Sequence, residues 1–216
     1  MKIILIGASG FIGSALLQEA LSRQHQVTAL VSNPAKIAAQ ANLTIVATNV
    51  NDTTALTEQL RGADAVISAF SGHAQADVYE YYVKGVQSII AATKAAKTDK
   101  KSPRLLMVGG AGSLEVAPGL QVVDTPSFPE QWKATAEGAR QALTLLKQET
   151  ELNWTMLSPA AHIEPGQRTN QFRLGLDQLL VDAKGESHIS LQDYAVAMLN
   201  ELENPVHTRQ RFSIAY

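Results

Sequence analysis

The sequence predicts an α/β fold, a doubly wound parallel sheet with a small C-terminal substrate lobe, and three observations support this prediction. Short apolar segments alternate with amphipathic helical segments over most of the chain. The first apolar segment runs directly into a triplet of glycines, and later apolar segments also end in small or polar residues. Right-handed crossovers bring the ends of parallel strands to one edge of the sheet, where ligands bind. This is the Rossmann-type architecture, which we expect to form a single domain over residues 1–216 with the lobe at about 160–190.

The first strand and the loop after it are the most informative part of the chain. The strand, Ile3 to Ile6, is followed by glycines at positions 7, 10 and 13 and by an amphipathic helix. In this arrangement Gly7 makes the tight turn, Gly10 admits phosphate oxygens to the backbone, and Gly13 lets the helix pack on the sheet. The helix N-terminus presents N–H groups and a positive dipole to a pyrophosphate. We therefore expect a dinucleotide to contact Gly7, Ala8, Ser9, Gly10, Phe11, Ile12 and Gly13.

Five further parallel strands are predicted after the first one. They lie at Gln26–Val31, Leu43–Ala47, Asp64–Ala69, Arg104–Val108 and Asn153–Leu157. Helices connect them, the longer two at 77–97 and from Pro129 to Glu149. Six parallel strands place the ligand crevice at their carboxyl ends, near the switch point between the first and fourth strands. Around this crevice we expect further cofactor contacts from Ser32, Asn33, Lys36, Asn49, Val50, Ala69, Phe70, Ser71, Gly109, Gly110, Ser158 and Pro159.

The C-terminal part of the chain has a different pattern, which we assign to the substrate lobe. Its predicted elements are short β-like segments at Gln171–Leu174 and Leu179–Val181, a helix near 191–203 and a final strand at Arg211–Ala215. Ser190 and Asp193 form a predicted capping box, in which each side chain meets the backbone N–H of the other. Asp193 is therefore assigned a structural rather than a catalytic role. The predicted inner face of the helix comprises Leu191, Tyr194, Ala195, Met198, Leu199 and Leu202.

Composition restricts the partners of the protein. A net charge of −2 offers no basic surface, so we expect a small-molecule acceptor and neither nucleic acid nor a membrane as partner. The chain has no cysteine, which excludes disulfides, thiolate metal sites and a cysteine nucleophile. We expect no metal and a cytoplasmic location. The first apolar run is too short, and too soon broken by glycine, for a signal peptide or a membrane span.

Several motifs together give the chain a family resemblance over nearly its whole length. They are Gly7–Gly13, Val108–Leu114, Trp154–Pro159, Glu164–Thr169 and Ile189–Ala195. With these motifs the chain resembles the atypical short-chain dehydrogenase/reductases that bind NAD(P), in particular the NmrA-like and NADH-flavin reductase group, and it is similar to biliverdin reductase B. The resemblance implies a Rossmann-type fold and NAD(P)H-dependent reduction.

The end of the second strand bears on the choice of cofactor. Enzymes that use NAD usually place a carboxylate there, which binds the ribose hydroxyls and repels a 2′-phosphate. Here the positions hold Ser32 and Asn33, and Lys36 is the nearest cation, so we expect NADP(H) to be preferred over NAD(H). The family often has Arg where Ser32 stands, and Lys36 is alternatively a solvated helix residue. At Asn49 the family usually has Asp near the adenine, and an amide can make a similar hydrogen bond.

The chain lacks the tyrosine and lysine, four residues apart, that protonate the carbonyl in standard short-chain dehydrogenases. Tyr79, Tyr81 and Tyr82 have no lysine at that distance, and we attribute them to helix packing or to a subunit contact. The helix at 77–97 could pair with a copy of itself, which allows a homodimer. Flavins, quinones and related conjugated acceptors spread the incoming charge and need no strong acid. A flavin would thus be a substrate rather than a bound cofactor.

Two residues are candidates for catalysis. His162 follows the sixth strand, and histidine is a residue type that exchanges protons readily. It resembles the histidine of biliverdin reductase B; alternatively it orders the loop. Ser113, after the glycines of the fifth strand, either hydrogen-bonds the acceptor or forms a turn. His73 could line the site. Arg168 could bind an anionic part of the substrate or pair with a surface carboxylate.

These observations favour an NAD(P)H-dependent reductase of flavins, quinones or related conjugated acceptors. The alternative from another class is a non-catalytic NADP(H)-sensing protein, which the missing tyrosine and lysine favour equally. A sugar-nucleotide epimerase is a further alternative, against which the missing tyrosine argues.

Overall fold

The computed structural model describes residues 1–73, 76–99 and 102–216, and its main feature is one large sheet. The strands are β1 Lys2–Ile6, β2 Gln26–Val31, β3 Leu43–Ala47, β4 Ala65–Ser68, β5 Arg104–Val108, β6 Glu115–Ala117, β7 Leu120–Gln121, β8 Trp154–Ser158, β9 His162–Glu164, β10 Arg173–Gly175, β11 His188–Ser190 and β12 Gln210–Ala215. The helices are α1 Phe11–Ser22, α2 Thr53–Leu60, α3 Val78–Ala95, α4 Lys133–Gln148 and α5 Leu191–Glu203.

The order of the strands confirms the doubly wound topology. Eight strands pair in the order β10-β12-β8-β5-β4-β1-β2-β3. All adjacent pairs are parallel except β10 with β12. The chain leaves β1 toward β2 on one side and returns to β4 on the other, so the switch point lies between β1 and β4 as predicted.

Alternation along the strands produces two hydrophobic cores. In β1, Ile3 and Leu5 pack toward α1 and α5, whereas Ile4 and Ile6 pack toward the helices on the other face. That second layer is formed by α2, α3 and α4, which contact one another in sequence. Burial of each of these side chains contributes about 1.5–3 kcal/mol. The continuous apolar runs of the strands follow from this cover on both faces.

The C-terminal lobe differs from its prediction. The final strand, β12, is not part of a separate lobe but the seventh parallel strand of the central sheet, next to β8. Part of the predicted segment at 171–174 forms β10, the antiparallel edge of that sheet, and Leu179–Val181 is irregular. What remains of the lobe contains the two-stranded pair β9 and β11 and, contributed from earlier in the chain, the hairpin β6 and β7.

The predicted capping box is half correct. The Ser190 hydroxyl accepts a hydrogen bond from the Asp193 N–H at 3.0 Å, which caps α5. The Asp193 carboxylate does not return to Ser190. It accepts hydrogen bonds from the N–H groups of Thr169 and Asn170, both at 2.9 Å, and from the Tyr216 hydroxyl at 2.7 Å. Burial alone would raise the pKa of the Asp193 carboxyl, but the Thr169 hydroxyl, which donates at 2.5 Å, and these other donors hold it below its usual value. Asp193 therefore organises the loop before β10, which agrees with its predicted structural role.

The amino edge of the sheet, opposite the crevice, is closed by buried charges. The Arg104 guanidinium, at the start of β5, donates to Glu201 on α5 at 2.5 Å and to the Thr155 hydroxyl at 2.6 Å. The Glu201 carboxylate also accepts from the backbone N–H of His207 and from its Nδ1, each at 2.9 Å. The Arg104 and Glu201 side chains are 8% and 4% exposed, so this is an ion pair removed from water.

Candidate functional site

The glycine loop has the geometry that its sequence predicts. Gly7 has φ +79°, in the left-handed region that favours glycine, and a Cβ there would lie 2.5 Å from the carbonyl oxygen of Ala69. A Cβ on Gly13 would lie 2.1 Å from the carbonyl oxygen of Gly7. The start of α1 thus rests directly on the turn that ends β1. A larger residue at either position would separate the helix from the sheet.

The N-terminus of α1 is open to a ligand. Gly10 caps the helix without a side-chain hydrogen bond, its N–H donates to Gly7, and no acidic residue lies in the first turn. A Cβ on Gly10 would have only the Gly7 oxygen within 4 Å, at 3.2 Å, so this position otherwise faces open space. Ala8 is buried, whereas Gly10 and Phe11 are exposed. The loop therefore fits a pyrophosphate, which it would bind through the backbone N–H groups of the first turn, Phe11 to Gly13.

The end of β2 is the predicted adenosine end of the crevice. Ser32, Asn33 and Lys36 are all exposed there. The Asn33 side chain accepts a hydrogen bond from Ala35 at 3.1 Å and caps a 3₁₀ turn over Pro34–Lys36. Within the described residues Lys36 takes part in no ion pair, so its ammonium group is available to an anion.

The end of β3 forms the adjoining wall. Asn49 is exposed, and its side-chain oxygen accepts a hydrogen bond from the N–H of Asn51 at 3.0 Å. Val50 is buried, and its carbonyl oxygen accepts a hydrogen bond from the Ser88 hydroxyl at 2.6 Å. The Val50 side chain therefore supports the wall, while the Asn49 amide nitrogen faces solvent.

The residues after β4 line the crevice mainly with backbone. Ala69 is half-buried and Ser71 is exposed. The Phe70 ring turns away from the crevice toward α3, where it stacks on Tyr82 at a centroid distance of 5.9 Å and occupies the space that a Cβ on Gly85 would need. The backbone of Phe70, rather than its ring, borders the glycine loop. Its nitrogen would lie 3.1 Å from a Cβ on Gly7.

The ends of β5 and β8 form the floor of the crevice. The N–H of Gly109 donates to Leu157 at 2.8 Å, and a Cβ on Gly109 would lie 2.8 Å from Met156. Ser158 and Pro159 are buried. Within the described part of the chain the Ser158 hydroxyl has no hydrogen-bond partner. These two residues therefore do not project into the crevice, and a Cβ on Gly109 would lie 3.0 Å from the Ser158 hydroxyl.

Ser113 does not present its hydroxyl to the crevice. The residue is 2% exposed, and its hydroxyl accepts a hydrogen bond from Arg211 of β12 at 3.1 Å. The same guanidinium also pairs with the carboxylate of Asp177. Of the two predicted roles of Ser113, this geometry favours the structural one, since the hydroxyl anchors the β5 loop to the sheet. No local pattern indicates this role of Arg211, because its partners lie 98 and 34 residues away along the chain.

His162 is exposed on β9, three residues after Pro159. Its backbone is held by pairing with β11, where it lies beside His188. In the described ranges the imidazole of His162 has no hydrogen-bond partner. It therefore stays a candidate that is open to solvent and to a ligand.

Arg168 and His73 are both held by neighbouring side chains. Arg168 makes two hydrogen bonds to the Glu19 carboxylate, at 2.8 and 2.9 Å, and these bonds are the first cause of a lowered pKa of Glu19. Arg168 thus pairs with a carboxylate, as the second of its two predicted roles has it, but Glu19 on the third turn of α1 is buried rather than on the surface. The Nδ1 of His73 lies 3.4 Å from the Thr135 hydroxyl, and its ring contacts Trp132.

Two tyrosines of α3, Tyr81 and Tyr82, pack against Phe70. Tyr82 also contacts Gly138 of α4, and burial of its hydroxyl raises its pKa to about 12. Tyr194 of α5 is fully buried and donates its hydroxyl to Leu157 at 2.7 Å, and burial raises its pKa well above the ordinary value. Neither phenol has the depressed pKa of a general acid–base tyrosine beside a lysine.

Comparison with known proteins places the site in a family context. Residues 7–205 match the model of a family described as NAD(P)H-binding. A candidate epimerase from Bacteroides thetaiotaomicron has 45% identity and a TM-score of 0.92, with 100% of this chain and 96% of that chain covered. A candidate NADH-flavin reductase from Streptococcus pneumoniae has 34% identity and a TM-score of 0.84, with 100% and 99% covered. The uncharacterized Bacillus subtilis protein YwnB is 42% identical over 99% of this chain and 98% of its own length.

One further finding concerns membranes. Among the described residues, none of the helices combines the length and the apolar character needed to cross a bilayer.

Proposed function

We propose that this chain, which belongs to the NAD(P)H-binding family, is an oxidoreductase that transfers hydride from the nicotinamide cofactor to a flavin, quinone or related conjugated acceptor. One observation carries the proposal. The cofactor loop is complete, from the left-handed turn at Gly7 to the close approach at Gly13, yet among the described residues around it no tyrosine is paired with a lysine. Acceptors that delocalise the incoming charge suit such a site.

Different residues of the chain are proposed to bind the cofactor, to position the reacting ring and to donate a proton. When bound, NAD(P)H supplies a hydride, and the acceptor then needs one proton to complete its two-electron reduction. The first turn of α1 holds the pyrophosphate, and the floor at Gly109 and Gly110 positions the reacting ring. His162, exposed beside this floor, is proposed to supply the proton, with water as the alternative donor.

The cofactor is proposed to be NADP(H) in preference to NAD(H). The end of β2 carries no carboxylate to repel a 2′-phosphate, and the exposed ammonium group of Lys36 adds a favourable charge. Lys36 is a point charge on a flexible stem, so we expect a preference rather than exclusive use.

Absorbance at the nicotinamide band tests the proposal. Purified protein is assayed for NADPH and NADH oxidation with FMN, riboflavin and menadione. Turnover that depends on an acceptor supports the reductase. Tight NADPH binding without turnover for any acceptor would overturn it. His162→Gln, which keeps a hydrogen-bonding side chain but is a poor proton donor, should lower the rate. An unchanged rate in this variant would leave water as the proton donor.

The alternative in that case is a sensor that binds NADP(H) without turnover. The Ser113 hydroxyl favours the sensor, because this predicted acceptor contact is instead hydrogen-bonded to Arg211. A partner protein whose retention changes between NADP⁺ and NADPH would support the sensor. An epimerase, the description of one relative, needs an acid–base pair that the described residues around the crevice do not supply.

Location and assembly are further proposals. We place the protein in the cytoplasm, as its lack of cysteine suggests, and cell fractionation tests this. A homodimer through α3 and α4 would cover the half-buried Ile90 and Leu145 on their outer surface. Light scattering after size-exclusion chromatography measures the oligomeric state directly.

A further inference from the structure

Trp132 is unusually exposed for its size. The chain has two tryptophans: Trp154 is buried at 2% exposure, whereas Trp132 is 51% exposed. Burying an indole is among the largest contributions that one side chain can make to the free energy of folding. Because half of the Trp132 side chain is exposed, much of that contribution is absent here. Large exposed aromatic rings beside a crevice are typical of ligand contacts.

The position of Trp132 follows from how α4 meets the glycine loop after β5. A Cβ on Gly110 would lie 3.0 Å from Ala139, and a Cβ on Gly112 would lie 2.7 Å from Ala136. Toward its N-terminus the helix therefore rises past the carboxyl edge of the sheet. At 1.5 Å per residue, Trp132 stands about 10 Å beyond the level of Ala139.

The indole is held in place from across the crevice edge. His73, in the loop after β4, meets it with ring planes at 87° and a centroid distance of 6.3 Å. The Nδ1 of His73 in turn lies 3.4 Å from the Thr135 hydroxyl on the first turn of α4. Two loops that both emerge from the carboxyl edge are thus linked at the indole. A ring fixed in this way loses little conformational entropy when a ligand binds to it.

We infer that Trp132 is the platform on which the acceptor stacks, with His73 as the residue that positions the indole. The inference rests on the proposed reductase function and specifies its substrate side. An electron-rich indole face attracts a flat, electron-poor conjugated ring such as an oxidised isoalloxazine. A sugar ring offers no such face. The platform therefore selects conjugated acceptors by shape and polarisation, independently of the cofactor loop.

Binding of FMN to the NADP⁺-saturated protein tests the inference without requiring turnover. Contact with an indole quenches flavin fluorescence, so the titration reports both affinity and stacking. We expect Trp132→Leu to raise the FMN Kd about tenfold and to abolish quenching in the bound complex, with the Kd for NADP⁺ unchanged. Trp132→Phe should keep most of the affinity because it keeps an aromatic face. Val206→Ala, an exposed apolar residue beyond the C-terminus of α5 at the amino edge, is the control and should change neither Kd.

Three results are distinguishable. Weaker FMN binding by Trp132→Leu with an intact melting temperature supports the platform. Wild-type affinity and quenching in that variant, together with flavin reduction by the wild type, would overturn the platform and leave the reductase standing. Failure of the wild type to bind or reduce FMN and menadione would overturn both proposals.

Discussion

The two edges of the central sheet are built on opposite principles. At the amino edge, Arg104, Glu201 and His207 are enclosed and bonded to one another. At the carboxyl edge, glycines replace side chains, helix N–H groups face outward, and the indole of Trp132 is half exposed. Strands β5 and β8 begin beside a buried hydrogen-bond network and end at an edge that is accessible to a ligand. The difference shows that the sheet separates the residues that hold the fold from those that are available to a ligand.

The largest effect is expected from breaking the closed edge. Glu201→Gln leaves the Arg104 guanidinium buried without a counter-charge, and we expect a loss of about 3 kcal/mol of unfolding free energy. Urea denaturation measures it. Because the glycine loop lies at the other edge, the fraction that is folded should still bind NADPH with wild-type affinity.

The pH dependence of stability sharpens this prediction. Burial raises the pKa of Glu201, but hydrogen bonds from Arg104 and His207 outweigh it, so the pKa in the folded state is below its usual value. The stabilisation is therefore present above the unfolded pKa of about 4.3 and is lost as the pH falls through the lower folded value. Glu201→Gln should lose less stability than the wild type over that acid range. An equal acid loss in both proteins would show that Glu201 is not responsible.

The second effect compares two glycines of the open edge. Gly13→Ala places a Cβ 2.1 Å from a backbone oxygen that cannot easily move, and we expect it to cost about 2–3 kcal/mol of stability. Gly10→Ala is the matched control, because its Cβ would meet a single atom at 3.2 Å. It should keep the melting temperature within a few degrees and lose NADPH affinity about tenfold, since the methyl group occupies the approach of the phosphate. Equal melting temperatures for the two variants would contradict the different roles assigned to them.

The regions that sequence could predict follow the same division. Strands β2, β3 and β5 were predicted to the residue, because continuous apolar runs bounded by glycine or polar residues are a local signal. The final strand β12 was assigned to the lobe, because its pairing with β8 joins residues about 55 positions apart and leaves no local trace. Arg211 was missed for the same reason.

The sequence predicts the parts of the candidate site that are formed by the backbone. It does not predict the contacts of the side chains around it. Glycines 7, 10 and 13 have the geometry expected from their spacing. Three residues predicted at the crevice have side chains that are engaged elsewhere. The Phe70 ring packs on Gly85, the Ser113 hydroxyl is bonded to Arg211, and Arg168 pairs with Glu19. The spacing of residues along the chain does not encode these contacts. Trp132 lies near the start of the helix predicted from Pro129 to Glu149, but only the structure shows that its ring is exposed.

The smallest effect concerns cofactor choice at the open edge. Ser32→Glu adds a carboxylate at the end of β2, which should repel the 2′-phosphate of NADPH and accept hydrogen bonds from the ribose hydroxyls of NADH. We expect KM for NADPH to rise about fivefold to tenfold and KM for NADH to fall slightly. Ser32→Gln is the matched control, since it adds the same bulk without the charge. High salt should reduce the difference between the two variants, because position 32 is exposed and salt screens the charge of a glutamate placed there. If Gln and Glu changed the NADPH KM equally at low salt, steric hindrance rather than charge would act at this position, and the proposed preference for NADP(H) would lose its electrostatic basis.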